Sequence, residues 1–245
     1  MARSENGFGV VYRDNHLLAL DKPAGLPSQP DASGDAALVD LARESLRREF
    51  AKPGGVYLAL AHRLDRPTSG IVLAARTGKA ARRLAEAFRK REVRKTYLAL
   101  VEAPAAFRPE GELRDWLAGD GRGGMRPAGS GTPGAREAVL AYRRLAAASG
   151  RALLEVDLLT GVKHQIRRQL ANLGLPVVGD FRYGSGGGKP PPVPVAGGRA
   201  ILLHAWRIGL VHPVRREALE LSAPPPPFWR DYLAAFPALI STLRA

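Results

Sequence analysis

The apolar segments of this 245-residue chain are short, and several follow one another across turns too tight to hold a crossover helix. Residues 8–12 and 16–21 read as strands around the turn Arg13-Asp14-Asn15, and residues 56–61, 96–101, 137–145, 152–160 and 201–211 read as further strands. Parallel neighbours need connections of a dozen residues or more, so this succession favours antiparallel pairing. Helical periodicity is confined to a few stretches. Residues 35–50 carry Leu38, Leu41, Ala42 and Leu46 on one face, and residues 77–91 carry Ala81, Leu84, Ala85 and Phe88. A third helix is expected over 163–173, and a short one after the extended connector Ala223-Pro224-Pro225-Pro226-Pro227. The expected fold class is α+β: a mixed, largely antiparallel sheet with flanking helices.

Local signals refine this outline. Asp35 and Thr77 are candidate N-caps for the first two helices, and Gly174 suits the C′ position of the third. Lys22-Pro23-Ala24-Gly25-Leu26-Pro27 is a loop stiffened by two prolines and expected along a cleft. Residues 119–134 and 184–198 are rich in glycine and proline and are expected as flexible loops. Neither marks a domain boundary, so residues 1–245 are expected to form one domain.

Lys and Arg number 37 against 23 Asp and Glu, a net charge of +14 that calls for a polyanionic partner. Nucleic acid is the first candidate. No basic amphipathic helix with bulky aromatics is present to favour a membrane surface. No apolar run is long enough to span a bilayer, and Met1-Ala2-Arg3-Ser4-Glu5-Asn6-Gly7 lacks the apolar core of a signal peptide. Cysteine is absent, which removes disulfides, thiolate metal sites and a cysteine nucleophile, and fits a reducing cytoplasm.

One stretch concentrates the chemistry. His62-Arg63-Leu64-Asp65-Arg66-Pro67-Thr68-Ser69-Gly70 sets a lone carboxylate between two arginines, just ahead of the apolar run 71–75. Neighbouring cations favour the ionised carboxylate, which serves as nucleophile or base when partly dry. An ion-paired turn before a buried strand is the plainer reading of the same string. Arg94-Lys95-Thr96-Tyr97 leads a basic pair into a strand with a tyrosine, suited to stacking or to packing alone. The run 160–168, Thr-Gly-Val-Lys-His-Gln-Ile-Arg-Arg, turns into a helix whose N–H groups and cations suit an anion. The histidines at 16, 62, 164, 204 and 212 lack metal-ligand spacing. His204 reads as a satisfied sheet residue and His212 as part of a turn. No P-loop, dinucleotide fingerprint or nucleophile elbow occurs. Chemistry is therefore expected from side chains alone, with no cofactor.

Taken in order, these segments resemble the RluA-type family of RNA pseudouridine synthases over about residues 10–228. The family's H-R-L-D-x-x-T-S-G run stands at 62–70, and its K-x-Y-x-A element at Lys95, Tyr97 and Ala99. Its G-R-x-H-Q-I-R element stands at 161–167, with Val162 in place of the arginine, and its G-x-P-I-x-G-D-x-x-Y-G element at 174–184, with Val177 for the isoleucine. The resemblance implies that Asp65 is the catalytic aspartate and that Arg167 pairs with it. It implies that Tyr97 packs against the target base and is a candidate for the last proton abstraction. Arg63 would support the flipped nucleotide, and Ile166 would wall the pocket. His62, Arg66, Arg94, Lys95, Lys163 and Arg168 fall to the RNA side.

The implied reaction isomerises specific uridines of ribosomal or transfer RNA to pseudouridine and needs no metal, redox partner or ATP. The expected partner is RNA, with no membrane and no nucleotide cofactor, and the expected form is a cytoplasmic monomer. With about seven residues ahead of the first strand, no separate N-terminal RNA-binding domain is expected. A catalytically silent RNA-binding or remodelling protein on the same fold is the alternative, but it would be free to lose Asp65, Tyr97 and Arg167. A carboxylate-dependent hydrolase would want a second acid beside Asp65, and none stands out.

Overall fold

A computed structural model describes residues 7–51, 54–104, 106–184, 193–195 and 198–237. The chain opens with the hairpin β1 (Gly9–Arg13) and β2 (Leu17–Lys22), then α1 (Leu38–Glu49), the short β3 (Ala59–Leu60), β4 (Ser69–Ala75) and α2 (Gly78–Arg89). Next come β5 (Arg94–Glu102), β6 (Glu110–Gly119), β7 (Met125–Ala128), β8 (Arg136–Ala148), β9 (Arg151–Leu158) and α3 (Gln165–Asn172). The small pair β10 (Val193–Val195) and β11 (Gly198–Ala200) precedes β12 (Leu203–Val211) and β13 (Ala218–Ser222). A 3₁₀ turn, Pro227–Trp229, then runs into the one-turn α4 (Arg230–Leu233).

The main sheet has the order β1-β2-β4-β12-β5-β9-β8-β6-β7, with β13 added on β12 and β3 on β4. Among the described strands the only parallel pairing is β4 with β12. The mixed, largely antiparallel α+β expectation therefore holds. β4 is buried along its whole length, as a strand covered on both faces should be. α1 sends Leu38, Val39, Ala42 and Leu46 into one core, while Ala80 and Leu84 of α2 join another.

The parallel contact locates the site. Ala205 of β12 pairs with Gly70 of β4 on one side and with Tyr97 of β5 on the other. The loop that ends in Gly70 is thus held two strands from Tyr97, roughly 10 Å at the usual strand spacing. Gly70 has φ +113, and a Cβ there would lie 2.3 Å from the Ala205 carbonyl oxygen. Only glycine fits this approach.

Several local expectations are corrected. Asp35 does not cap α1: the cap is Ala37, without a side-chain bond, and Asp35 instead pairs with Arg66 at 2.5 Å. Thr77 does cap α2, accepting from Ala80 N–H, and Gly174 follows α3 with φ +81. The expected strand 56–61 shrinks to β3. Residues 119–134 are not one loose loop: they hold β7, which pairs with β6 in register from Gly119↔Met125 to Trp116↔Ala128. Pro127 is tolerated because β7 closes the edge of the sheet. Within the other glycine-rich stretch, Val193–Val195 pairs with Gly198–Ala200, while residues 185–192 and 196–197 lie outside the described residues.

The proline-stiffened loop after β2 lies behind the motif loop and does not line the cleft. Its key is Lys22, which is fully buried. Lys22 Nζ donates to the carbonyls of Pro23 (3.0 Å), Leu26 (2.8 Å) and Arg66 (3.2 Å). It thus ties the loop to the residue beside Asp65. Burial pulls its pKa down to about 7, against the raising effect of Asp65 and Asp21.

Lys22→Met should lose about 3 kcal/mol, because several buried carbonyls lose their donor at once. The sign of its pH dependence follows from the depressed pKa. Between pH 7 and about 10.4, the unfolded value, unfolding takes up a proton. Wild-type stability should therefore rise with pH relative to Lys22→Met, by at most about 1.4 kcal/mol per unit. Denaturant melts of both proteins from pH 6 to 10 check this.

Candidate active site

The motif loop is pinned from both ends. Ser28 Oγ donates to Leu64 carbonyl (2.8 Å) and accepts from Leu64 N–H (3.1 Å), and Thr68 N–H closes a turn on Asp65 carbonyl (3.0 Å). Arg66 turns away from the cleft, donating from Nε to Gly25 carbonyl and from its guanidinium tips to Ser33 and Asp35. His62 Nε2 accepts from Leu73 N–H at 3.1 Å, and its ring stacks on Phe88. Burial, then the charge of Lys95, hold that imidazole neutral, with its pKa down to about 3. His62 therefore anchors the loop to β4 while one face lines the cleft.

Asp65 is left at the cleft floor with its side chain 24% exposed. Arg167 Nη1 donates to Asp65 Oδ2 at 3.0 Å, across 102 positions of sequence. The same guanidinium grips Asp180 with Nε (2.7 Å) and Nη2 (2.9 Å) in a two-pronged bond. Asp180 is fully buried and also accepts the N–H groups of Arg182 and Tyr183. Burial works against the charge of Arg167, but Asp180 and then Asp65 outweigh it and hold its pKa above the ordinary value.

α3 is aimed by two buried glutamines. Gln165 accepts from Thr160 hydroxyl and Val162 N–H and donates to Val139 carbonyl and Gln169. Gln169 in turn donates to Asp115 and to Leu113 and Ala138 carbonyls. One helix face is thereby stapled to β6 and β8, leaving Arg167 directed at Asp65.

The cleft above Asp65 has a volume of about 840 Å³. Tyr97, Ile166, Leu158 and Leu203 supply apolar wall. Burial, then the charge of Asp65, push the Tyr97 hydroxyl well above its ordinary pKa, so it stands as a neutral phenol. That suits packing and opposes ionisation.

The rim is cationic: Arg63, Arg89, Arg91, Arg136 and Lys163 line it, and none has a carboxylate partner among the described residues. Lys95 lies deeper, its Nζ 3.3 Å from Thr160 carbonyl, and burial and Arg91 bring its pKa down to about 8. Away from the cleft several basic side chains are neutralised, as Arg47 and Arg48 are by Glu44.

The structure thus gathers Asp65, Arg167, Tyr97, Ile166, His62, Arg63, Lys95 and Lys163 around one cavity. It does not bring Arg66, Arg94 or Arg168 to its lining. Arg94 pairs with Glu220, and the Arg168 guanidinium lies over the Tyr183 ring. His204 is the sheet residue expected, bonded to Ser69 hydroxyl and Ala223 carbonyl. Sequence reasoning missed Asp180, Tyr183 and the glutamine staple. The available signal for Asp180 and Tyr183 was their spacing around Gly179 and Gly184 in the 174–184 element.

Comparisons with known proteins give the family. A family model for RNA pseudouridylate synthase matches residues 16–172. Ribosomal large subunit pseudouridine synthase D of Xanthomonas campestris is 35% identical over 239 residues, covering 89% of this chain and 66% of that protein. The tRNA pseudouridine synthase C of Salmonella typhi is 32% identical over 247 residues, covering 93% and 89%. Human RNA Pseudouridylate Synthase Domain Containing 4 superposes with a TM-score of 0.75 at 26% identity, covering 94% of this chain and 93% of that one. The chain belongs to the RNA pseudouridylate synthase family, of the RluA type. It is an isomerase that acts on RNA. It spans just under two thirds of the length of the Xanthomonas enzyme and most of the Salmonella one. No described helix is long and apolar enough to cross a membrane.

Proposed function

We propose that this chain isomerises uridines of a ribosomal or transfer RNA with Asp65 as the nucleophile. The described residues act as one catalytic unit, and the protein works as a cytoplasmic monomer. The observation that carries this reading is a half-buried carboxylate, charge-compensated by Arg167, under a rim of unpartnered cations. The lack of cysteine suits a reducing compartment.

The target uridine is flipped into the cleft at a cost of a few kcal/mol. Tyr97 packs on the base and Ile166 walls it, recovering part of that cost. The rim cations and Lys95 hold flanking phosphates. The Asp65 carboxylate bonds to C1′ or C6, and the N1–C1′ bond breaks with its electron pair left on the uracil. The uracil turns, C5 bonds to C1′, and the Asp65–carbon bond breaks to return the free carboxylate. The C5 proton then leaves to a positioned base or water. Tyr97, protonated as it is, takes that proton only by passing on its own. No metal or cofactor enters this scheme.

The alternative of a silent RNA-binding protein loses ground because the Asp65–Arg167–Asp180 arrangement is complete. Pseudouridine mapping of total RNA from a deletion strain and its parent tests the proposal and names the substrate. At least one uridine should lose modification in the deletion strain, and an unchanged map, together with no turnover by purified protein on total RNA, sinks it.

Lys95→Ala should weaken RNA binding several-fold at 0.1 M salt and lower the salt slope by about 0.7–0.9, the value of one phosphate contact. The Lys95 contribution should fade as pH rises through about 8, where its ammonium loses the proton. Titrations across salt and pH measure both, and an unchanged slope removes Lys95 from the interface.

A further inference from the structure

His164 faces Asp65, yet the mechanism above makes no use of it. It precedes α3 with φ +53 and ψ 22, a left-handed conformation that side chains other than glycine rarely adopt. This backbone sets the ring between two partners. Nε2 lies 3.7 Å from Asp65 Oδ2, and Nδ1 lies 2.8 Å from the Tyr183 hydroxyl.

The protons on this line can be assigned. Tyr183 hydroxyl already accepts the Met125 N–H at 2.8 Å. With that contact made, the arrangement that gives the Tyr183 proton an acceptor sends it to Nδ1, and this is the tautomer we assign. Burial keeps the imidazole neutral, with Arg167, Lys163 and Arg182 adding to that effect and Asp65 opposing it. A neutral ring whose Nδ1 accepts carries its proton on Nε2. The donor nitrogen is thus the one that faces the carboxylate.

Arg167 reaches the same oxygen, Oδ2, and no hydrogen bond or ion pair from a described residue falls on Oδ1. We propose that His164 is a positioning residue for Asp65: its neutral ring presents Nε2–H to Oδ2, shares that oxygen with Arg167, and leaves Oδ1 as the attacking atom. This rests on the reading of Asp65 as nucleophile. At 3.7 Å the bond is longer than a formed hydrogen bond, and such contacts in empty sites tighten when substrate binds. The line Met125–Tyr183–His164 also joins the nucleophile to the β6–β7 hairpin.

Single-turnover kinetics of His164→Phe, His164→Gln and His164→Asn test the assignment, with RNA affinity measured alongside. His164→Phe should lower the rate about 10- to 100-fold, the scale of one hydrogen bond to a charged group, with affinity within twofold. His164→Gln places an amide N–H near the Nε2 position and should recover most of the rate. His164→Asn suits the left-handed backbone better but is too short to reach, and should stay slow. If Phe turns over like wild type, or if Asn recovers the rate and Gln does not, the assignment is overturned.

¹⁵N NMR of His164 gives a second readout. The wild type should show the proton on Nε2, and Tyr183→Phe should disturb that preference. A proton found on Nδ1 in the wild type overturns the proposal. Asp65→Asn run in parallel separates the two readings. Activity in that variant removes the nucleophile itself, whereas an inactive Asp65→Asn beside a fully active His164→Phe removes only the role of His164.

Discussion

Asparagine in place of Asp65 will abolish uridine isomerisation, by at least about 10⁴-fold in single-turnover rate, the scale seen when a nucleophile is removed. The amide keeps the shape of the side chain and can still accept from Arg167, so the fold should survive. It cannot form the covalent bond that breaks N1–C1′. RNA affinity should stay the same or tighten slightly, because a negative charge leaves a cleft rimmed by cations. Filter binding and rate measurement on one preparation check both halves. A variant that binds and still turns over at a tenth of the wild-type rate would end the case for Asp65.

Arg167→Met should damage both stability and activity. The guanidinium is 3% exposed and holds a buried carboxylate, Asp180, by two bonds. Removing it leaves Asp180 charged, dry and without its cation, which costs about 3–5 kcal/mol. The same change strips Asp65 of its ion pair, so activity should fall about 10³-fold or more. The double variant Arg167→Met/Asp180→Asn separates these effects. It should regain much of the lost stability, since the uncompensated buried charge is gone, yet remain inactive. Denaturant melts and rates of the three proteins decide it, and a double variant that regains activity would detach Arg167 from the chemistry.

What the sequence shows and what it hides divide along physical lines. Thr77 and Gly174 were legible because a helix end is a local event: a hydroxyl reaching back three residues, a φ that glycine adopts freely. Asp35 misled because a cap competes with any nearby guanidinium, and Arg66, far off in sequence, reached it. The 119–134 hairpin was hidden by glycines that make its turn and by a proline that an edge strand permits. β6 and β13 went unread because each is partly exposed and interrupted by charge.

At the site, Asp65, Tyr97, Ile166 and Arg167 stood out from their motifs, and the structure brings them to one cavity. The supports did not stand out. The two carboxylates on Arg167, the glutamines that aim α3 and the ammonium of Lys22 act through partners that only the folded chain supplies. Arg66 and Arg94 lay beside the motifs in sequence but are engaged by Asp35 and Glu220 instead.

The parallel seam between β4 and β12 also bears on how this protein is made. Ser69 meets His204, so the ribosome must deliver 135 further residues before the strand leading out of the motif loop gains that neighbour. Until then Tyr97 has no β12 to lie against, and Arg167 waits for an Asp180 that follows it by 13 positions. Contacts this distant in sequence form late and slowly. A nascent chain therefore carries its nucleophile without a finished pocket around it until β12 has been made. Catalytic competence waits for β12 to be made and to slot between β4 and β5.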